Sequence, residues 1–358
     1  MKQFSYLAGL FLFCISGVLL CQQNRMGASI MADLHTSFMG VQMSSPVVVG
    51  ASSISQKIDN IKKAEDAGAG GLVIYSLFQE QIEIDTQELD EELALGSDVY
   101  SESLTYLPHL ESAGPREHIM WTEKARKAVK FPLFGSLNAT SPGNWLEYAK
   151  LLENAGCDGL ELNLYSLETN PSKTGEEIEK QAIEVITSVK SAISIPVAVK
   201  LSPFYTSIAN FASKVAGTGV DGMVLFNRFY QPTIDPDKQA LSTELVLSSS
   251  DEMRLPMRWI AILSSQLDID LASSTGVHSG WDVVRQLLAG AQAAQVVSAL
   301  YRNGIGFIST MNWQISDWMD AKGYKSIDDF RGKLNQKHVS DPYAFERAQY
   351  IKLLLGHK

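Results

Sequence analysis

From residue 46 onward, short apolar runs alternate with longer segments in which apolar positions recur every three or four residues. This alternation is typical of strand–helix units repeated around a parallel sheet. The apolar runs predict eight strand cores, at 46–49, 71–75, 132–136, 159–164, 196–200, 222–226, 268–272 and 294–297. The helical periodicity falls at 57–67, 144–154, 176–192, 207–216, 257–266 and 280–288. Eight units in one chain predict an α/β protein, a single (β/α)8 TIM barrel, rather than an open sheet.

Two long connections interrupt the alternation, at 77–130 and 227–256. In a barrel both follow the carboxyl ends of strands, where active sites form. No short-period repeat, proline-rich linker or low-complexity tract indicates a second domain. We therefore predict one barrel at 31–340, an apolar extension at 1–30 and a helical tail at 341–358.

Residues 4–21 carry no charge and leave three interpretations open. The stretch has the length of a signal-peptide core or of a marginal membrane helix. Lys2 is the only basic residue before it, and Leu20 makes Cys21 a poor lipoprotein cleavage site. The third interpretation, which we favour, is that translation starts at Met26 or Met31. It predicts a cytoplasmic protein, and membrane anchoring by residues 4–21 is the alternative.

Composition narrows the class of ligand. The 358 residues are 45% hydrophobic and 20% charged, with a formal net charge of −10 and a pI near 5.2. Such a surface repels nucleic acid and anionic membranes, so a small-molecule substrate is expected and no nucleic acid. Three cysteines provide no disulfide framework. His109, His118 and His278 lack metal-ligand spacing, so no metal is assigned.

Polar residues cluster where the predicted strands end: Ser52, Tyr75, Asn138, Asn163, Ser166, Lys200, Asn227 and Thr275. Taken singly, a serine or asparagine there is more often a turn former than a functional group. Lys200 differs because it ends the apolar run IPVAVK at the predicted barrel opening. Only an anionic partner or an electron-rich cofactor is expected to justify a desolvated ammonium at that place.

Small residues follow the last two strands, in STGVHSGWDVV and VVSALYRNG. Backbone amides of two adjacent loops can together bind one phosphate, as in many barrels after strands seven and eight. A single Thr-Gly pair is usually a turn. Two such loops in the expected positions favour a cofactor that carries a phosphate.

Four segments in order resemble the dihydroorotate dehydrogenase family: PVVVGAS, GLELNLYS, IPVAVKLSP, and STGVHSGWD with QVVSAL. The tail KGYKSIDDFRGKL resembles the end of class 1 members, and the resemblance extends from about Leu34 to about Leu334. It implies a flavin mononucleotide (FMN) enzyme built on a (β/α)8 barrel.

The resemblance also implies roles for individual residues. Ala51 and Ser52 approach the flavin ring, and Asn138 and Asn163 donate or accept hydrogen bonds there. Lys200 faces the pyrimidine edge and stabilises the charge that reduction develops. Asn227 is expected to lie next to both the flavin and the substrate. The phosphate of the cofactor is expected to be bound by Thr275, Gly276 and Ser298.

The catalytic base of the family lies on a loop written N-x-S-[CS]-P-N, and this chain has Asn163-Leu164-Tyr165-Ser166-Leu167-Glu168. Ser166 stands at the base position, as in class 2 members, although class 1 resemblance predicts cysteine. Oxidation of a carbon–carbon bond beside a carbonyl requires a base for the proton. A serine is weak at its free pKa and needs help, such as a water relay.

Other departures bear on the substrate. Tyr75 replaces a family lysine, Glu168 replaces an asparagine, and Val297 replaces the glycine before Ser298. Two like charges about 4 Å apart cost on the order of 4 kcal/mol at an effective dielectric near 20, so an ionised Glu168 disfavours an anionic substrate. Arg228 is expected to supply the counter-ion. The candidate substrate residues are Tyr75, Asn163, Glu168, Asn227 and Arg228.

The leading hypothesis is an FMN oxidoreductase acting on a CH–CH bond, with dihydroorotate or a related compound as substrate and an unknown electron acceptor. A second hypothesis is a barrel enzyme that reduces a pyrimidine or enone with electrons from a partner. A third is a flavin-binding barrel that has lost dehydrogenase activity and serves in binding or regulation. Class 1 resemblance is consistent with a homodimer. The acidic segment 80–92 is predicted to be a solvated loop or hairpin rather than a binding surface.

Overall fold

The computed structural model describes residues 32–78, 115–138, 145–164, 167–229, 231–242, 245–346 and 348–356. Its strands are β1 Thr36–Phe38, β2 Val41–Met43, β3 Val47–Val49, β4 Gly71–Val73, β5 Leu77–Phe78, β6 Leu133–Asn138, β7 Gly159–Asn163, β8 Val197–Leu201, β9 Gly222–Leu225, β10 Thr233–Asp235, β11 Ala240–Ser242, β12 Asp270–Ser273 and β13 Ala293–Val296. Its α-helices are α1 Ile58–Asp66, α2 Pro115–Ala128, α3 Trp145–Asn154, α4 Gly175–Ala192, α5 Ile208–Ala216, α6 Arg254–Leu263, α7 Gly280–Ala289, α8 Ser298–Asn303, α9 Phe307–Lys322 and α10 Ala348–Gly356.

Eight parallel strands close into a barrel in the order β3, β4, β6, β7, β8, β9, β12, β13 and back to β3. Each corresponds to one of the eight apolar runs, so the predicted TIM barrel is confirmed. The strands are buried on both faces because helices cover the outside and side chains fill the inside, which explains why they appear as continuous apolar runs. The opening at their carboxyl ends is called the mouth below.

A short hairpin, β1–β2, covers the amino end of the barrel. Phe38 and Met39 enter the interior and pack with inward-facing residues such as Phe134 and Val224. Glycine makes room for them: a Cβ on Gly222 would lie 2.9 Å from Met39 Cγ. The Met39 amide donates to Asp270 Oδ2 at 2.7 Å, which attaches the hairpin to β12. The apolar interior is therefore sealed at the end opposite the mouth.

Some elements were not expected from the sequence. Helix α2 lies inside the long connection 77–130, in which no helix was predicted, and the pairs β1–β2 and β10–β11 were not predicted either. A short helical turn at Pro342–Phe345 and helix α10 occupy the predicted C-terminal tail. The proposed domain limits remain a prediction. Among the helices of the described ranges, none combines the length and the apolar character needed to cross a bilayer.

Candidate active site

Three polar side chains form a row at the carboxyl ends of neighbouring strands. The strand register pairs Asn138 on β6 with Asn163 on β7, and Asn163 with Lys200 on β8. Residues in register on parallel strands project to the same side of the sheet. All three side chains are buried, between 4% and 8% exposed, although they stand at the mouth. The tertiary structure thus brings together three residues that are spread over 62 positions of the chain, from Asn138 to Lys200.

Lys200 belongs to a closed ring of hydrogen bonds. Its Nζ donates to Gln295 Oε1 at 2.9 Å and to Glu161 Oε1 at 3.3 Å, and Gln295 Nε2 donates to Glu161 Oε2. This corrects the expectation that only a ligand could justify the buried ammonium, since Glu161 is a counter-ion within the protein. Sequence analysis missed Glu161 and Gln295. The available signal was a carboxylate inside the apolar strand GLELN.

The amide of Asn138 is the least engaged polar group in the row. The residue is 4% exposed, and none of the hydrogen bonds found between described residues uses its side chain. By contrast, Asn163 Oδ1 accepts from Asn227 Nδ2 at 2.6 Å. A buried amide that lacks a partner loses free energy unless a ligand or water satisfies it. The row therefore suits a planar ligand rich in hydrogen-bonding groups.

The loops after the first two barrel strands are joined through Ser55. Its Oγ accepts from the amide of Tyr75 at 2.8 Å and donates to the carbonyl of Ser52 at 2.9 Å. The hydroxyl of Ser52 donates to the carbonyl of Gly50, while Ala51 packs against the apolar interior. Both Ala51 and Ser52 are half-buried at the end of β3. The predicted ring-approaching residues accordingly stand at the mouth.

Tyr75 lies at the end of β4 beside His118 of α2. The two rings meet edge to face with centroids 4.5 Å apart, and His118 Nε2 lies 2.8 Å from the carbonyl of Tyr75. Burial raises the pKa of the Tyr75 hydroxyl, and the charge of Glu117 adds to the effect. Burial lowers the pKa of His118. At neutral pH both side chains are uncharged, and His118 Nε2 is the donor because a carbonyl only accepts.

The loop after β12 has an unusual backbone. Thr275 and Gly276 both lie in the left-handed region, with φ of 82° and 76°. A Cβ on Gly276 would lie 2.2 Å from the amide nitrogen of Met253, so only glycine fits there. Thr275 is a strained non-glycine residue whose Oγ1 donates to the carbonyl of Phe226 at 3.1 Å. Strain of this kind is common at ligand-binding loops.

Polar groups from three segments meet beside this loop. Ser298 Oγ accepts from the amide of Ser248 at 3.1 Å, and Ser248 Oγ lies 3.1 Å from His278 Nε2. Arg302 on α8 reaches His278 Nδ1 at 3.5 Å. Burial and then the charge of Arg302 lower the pKa of His278. Sequence analysis did not assign Ser248, His278 or Arg302 to this place, although Arg302 follows Ser298 by one helical turn.

The predicted counter-ion of Glu168 was wrong. Glu168 is exposed, pairs with Lys173 at 2.8 Å, and accepts from the amide of Asn170 at 2.9 Å. The hydrogen bond from Lys173 is the main reason why the pKa of Glu168 is lowered. Arg228 is instead bound to Glu252, with Nε 2.8 Å from Oε2. Both ion pairs join residues that are closer in the chain than Glu168 and Arg228 are. Forming them therefore closes a shorter loop and costs less conformational entropy than the expected pair.

Some predicted positions lie outside the described residues. These are Ser166, with Tyr165 beside it, and the acidic segment 80–92. No group of three or more His, Cys, Asp or Glu side chains within the described ranges is arranged to hold a metal ion.

A cavity of about 600 Å³ opens at the amino end, far from the polar row. Its charged groups are engaged by the fold: Asp270 accepts from Met39 and from Gln292 Nε2, and Arg331 donates to Thr36 and contacts Asp328. Barrel enzymes carry their chemistry at the opposite end, and the geometry of the mouth agrees with that rule. The buried row of Asn138, Asn163 and Lys200 at the mouth is therefore a better candidate site than this cavity.

Comparison with known proteins identifies the family. A model of the dihydroorotate dehydrogenase family matches residues 110–319, which is more than half of the chain. The chain belongs to the dihydroorotate dehydrogenase family. This match includes the row of Asn138, Asn163 and Lys200 and the loops that follow β12 and β13. The family consists of oxidoreductases that act on a CH–CH bond.

Relatives of this family align over most of the chain. The catalytic subunit of dihydroorotate dehydrogenase B (NAD(+)) from Thermoplasma volcanium is 24% identical over 307 residues, covering 84% of this chain and 98% of the relative. The protein of the same name from Pyrococcus abyssi is 25% identical over 309 residues, covering 84% and 98%. The one from Methanocaldococcus jannaschii is 25% identical over 280 residues, covering 76% and 88%.

Proposed function

We propose that this protein is an FMN-dependent dehydrogenase that oxidises dihydroorotate to orotate, a step of pyrimidine biosynthesis. The observation that carries the proposal is the row of Asn138, Asn163 and Lys200 at the mouth of a barrel of this family. The names of the relatives point to the same reaction. The fold alone supports many chemistries, so the argument depends on the site.

The residues of the mouth fit a flavin ring. The amide of Asn138, which has no partner among the described residues, and the remaining N–H of Lys200 can satisfy the carbonyl and nitrogen edge of an isoalloxazine. Ala51 and Ser52 border the same opening, and Asn163 with Asn227 supplies a linked pair of amides. When bound, FMN accepts the hydride that leaves the substrate. Lys200 provides a positive charge where negative charge develops on the reduced ring.

The loops after β12 and β13 fit the phosphate of FMN. Thr275, Gly276 and Ser298 are the predicted ligands, and Arg302 lies near them with its positive charge. The amide of Ser248 already occupies one acceptor position of Ser298 Oγ, and the hydroxyl hydrogen remains for a phosphate oxygen. Val297 stands where the family has glycine, and its Cγ2 packs against Gly50, where an added Cβ would lie 2.9 Å away.

Removal of the substrate proton is assigned to Ser166, and recognition of the substrate to Tyr75, Asn163, Glu168, Asn227 and Arg228. Asn163 and Asn227 are well placed because they share a hydrogen bond at the mouth. Glu168 and Arg228 are weaker candidates because each is engaged with a neighbouring charge. The electrostatic cost that was expected from Glu168 is reduced accordingly, since Lys173 neutralises it in an exposed position.

Loss of dehydrogenase activity in a binding or regulatory protein is not favoured, because the buried polar row is retained. A homodimeric state and a cytoplasmic location remain predictions. An exposed apolar pair, Ile234 opposite Leu241 on the hairpin β10–β11, supports a contact with another protein surface.

The experiment is anaerobic reduction of the purified protein. We expect a yellow protein whose flavin absorbance bleaches on addition of dihydroorotate. Lys200→Ala should lower flavin occupancy or slow the bleaching, whereas Lys180→Ala, which removes an exposed lysine of α4, should do neither. A colourless protein that binds no added FMN, or full occupancy and unchanged bleaching in Lys200→Ala, contradicts the proposal.

A further inference from the structure

The ring formed by Glu161, Lys200 and Gln295 spans the inside of the barrel. Glu161 is on β7 and Gln295 on β13, which are diametrically opposite in the eight-strand order. Both are buried, at 2% and 5% exposure, and a small void below them is lined by apolar residues such as Phe134 and Val48. Gln295 therefore bridges the two walls of the barrel directly beneath the mouth.

The three side chains of the ring bind one another, and among the described residues one N–H of Lys200 and one N–H of Gln295 remain outside these bonds. Each oxygen of Glu161 accepts one hydrogen bond, and Gln295 accepts with its oxygen and donates with its nitrogen. An ammonium has three N–H donors, and two of those of Lys200 are occupied within the ring. One N–H is left for a group outside it. The ring consequently fixes both the position and the hydrogen-bonding capacity of Lys200.

Glu161 is also the only carboxylate within ion-pair distance of Lys200 among the described residues. The other neighbours of Lys200 in the strand register, Asn163 on β7 and Val224 on β9, are neutral. A buried ammonium without a counter-ion tends to lose its proton, because burial penalises the charged form. The charge of Lys200 thus depends on Glu161.

We propose that Glu161 is a positioning residue for flavin reduction, which keeps Lys200 charged and, with Gln295, aims its remaining N–H at the cofactor. The inference rests on the proposed function, since it assigns the effect to the flavin. Glu161 is assigned no contact with substrate or flavin and acts through its bonds to Lys200 and Gln295. Its carboxylate adjusts how strongly the mouth attracts the negative charge of the reduced ring.

The test is the pH dependence of the reduction potential of the bound flavin, measured by spectroelectrochemical titration of the holoprotein. Glu161→Gln preserves the shape of the side chain and an acceptor for Lys200, but it removes the charge. We expect the pH profile of this variant to contain a step that the parental profile lacks, because the ring no longer holds a carboxylate that keeps the ammonium of Lys200 charged. Above that step, the reduction potential of its flavin should equal that of Glu161→Gln/Lys200→Met.

Two further variants separate charge from packing. In Glu161→Gln/Lys200→Met the step should disappear, because the group that titrates is gone. In the exchange Glu161→Gln/Gln295→Glu the carboxylate returns from the opposite wall, next to the same Nζ, and parental behaviour should be restored. If Glu161→Gln fails to fold, the exchange variant still provides the comparison, since it retains one charge of each sign.

The inference is overturned if the reduction potential of Glu161→Gln changes with pH in parallel with that of the parent. It is also overturned if the step persists in the variant that lacks Lys200. The same holds for an exchange variant that folds and binds flavin but keeps the step. These outcomes differ from failure of the proposed function, in which the parent itself binds no flavin or is not reduced by dihydroorotate.

Discussion

Buried polar side chains at the mouth divide into those that the protein satisfies and those that it leaves for a ligand. Lys200 is held by Glu161 and Gln295 but retains one donor, and Asn138 has no partner among the described residues. Water or a ligand must compensate such groups, because an unsatisfied buried amide costs about 1–3 kcal/mol. At the scale of single residues, the site is therefore prepared for a ligand with complementary polar edges.

His118 gives a residue-scale prediction for stability. Burial lowers its pKa, and its Nδ1 is buried without a hydrogen-bond partner in the described structure. The unfolded chain binds the proton first, so stability is lost as the pH falls below the unfolded pKa of about 6.5, by up to about 1.4 kcal/mol per pH unit. His118→Gln keeps a donor at the position of Nε2 but does not titrate.

Urea unfolding of the parent and of His118→Gln should be compared at about pH 7.5 and about pH 5. The parent is expected to lose more stability than the variant, and equal losses would mean that His118 does not titrate as described.

Ser166 gives a second residue-scale prediction. If its hydroxyl accepts the substrate proton, directly or through water, Ser166→Ala should slow flavin reduction by dihydroorotate roughly 100-fold or more, the usual effect of lost acid–base catalysis. Flavin content should stay at the parental value, because the residue is assigned no part in binding it. Stopped-flow bleaching measures the rate. A parental rate in the variant would transfer the role to another residue, with Tyr165 as the next candidate.

At the scale of elements, the loops after the barrel strands owe their shapes to local pairs of residues. Lys173 with Glu168 and Arg228 with Glu252 each join positions within about 25 residues of each other. Ser55 connects the loop after β3 to the end of β4, and Trp121 of α2 donates to its carbonyl at 2.9 Å. Helix α2 therefore supports two loops of the mouth at once.

The loop after β12 provides the element-scale prediction. Gly276→Ala combines a left-handed φ of 76° with a Cβ 2.2 Å from a backbone nitrogen, so the loop must move. Gly219→Ala is the matched control, with φ of 81° and open space within 4 Å. The control should lose about 1 kcal/mol of stability from backbone strain, and Gly276→Ala should lose more. Thermal unfolding measures the loss of stability in both variants.

Titration with FMN tests whether the loop also takes part in cofactor binding. The control Gly219→Ala lies away from the predicted phosphate loop and should bind FMN as the parent does. Weaker FMN binding is expected for Gly276→Ala alone. Equal FMN affinities in the two variants would remove this loop from the cofactor site.

At the scale of the whole molecule, the barrel is closed at one end and open at the other. The β1–β2 hairpin inserts Phe38 and Met39 into the interior from the amino end. Above this apolar plug, the ring of Glu161, Lys200 and Gln295 forms the polar floor of the mouth. The charged ring is therefore buried in the barrel while the layer beneath it is lined mainly by apolar side chains.

Phe38→Ala tests this arrangement. Phe38 is 5% exposed, and its truncation leaves a cavity among Phe134, Val224 and their neighbours. Loss of a buried phenylalanine costs about 3–5 kcal/mol, which chemical denaturation should detect. Phe204→Ala removes the same side chain from a position 66% exposed and should cost much less. Similar losses in the two variants would show that the hairpin does not seal the barrel.

The sequence by itself determined the eight strands, because a strand buried on both faces appears as a continuous apolar run. The alternation of these strands with helices then favoured a closed barrel over an open sheet. It also placed Asn138, Asn163 and Lys200 at strand ends, since a polar residue that follows such a run marks where the strand leaves the core. Helix α2 was missed because it lies within a long polar connection whose periodicity is weak.

Only the tertiary structure decided which of these groups meet. Sequence spacing does not reveal that Gln295 reaches Glu161 across the barrel, because the two are 134 positions apart and become opposite only when the sheet closes. Sequence spacing also does not show which of several cations pairs with a given carboxylate. For this reason Arg228 was expected to pair with Glu168, whereas the partner of Glu168 is Lys173 and that of Arg228 is Glu252. Strand patterns follow from local burial, whereas the partners of a charge depend on distances that folding alone fixes.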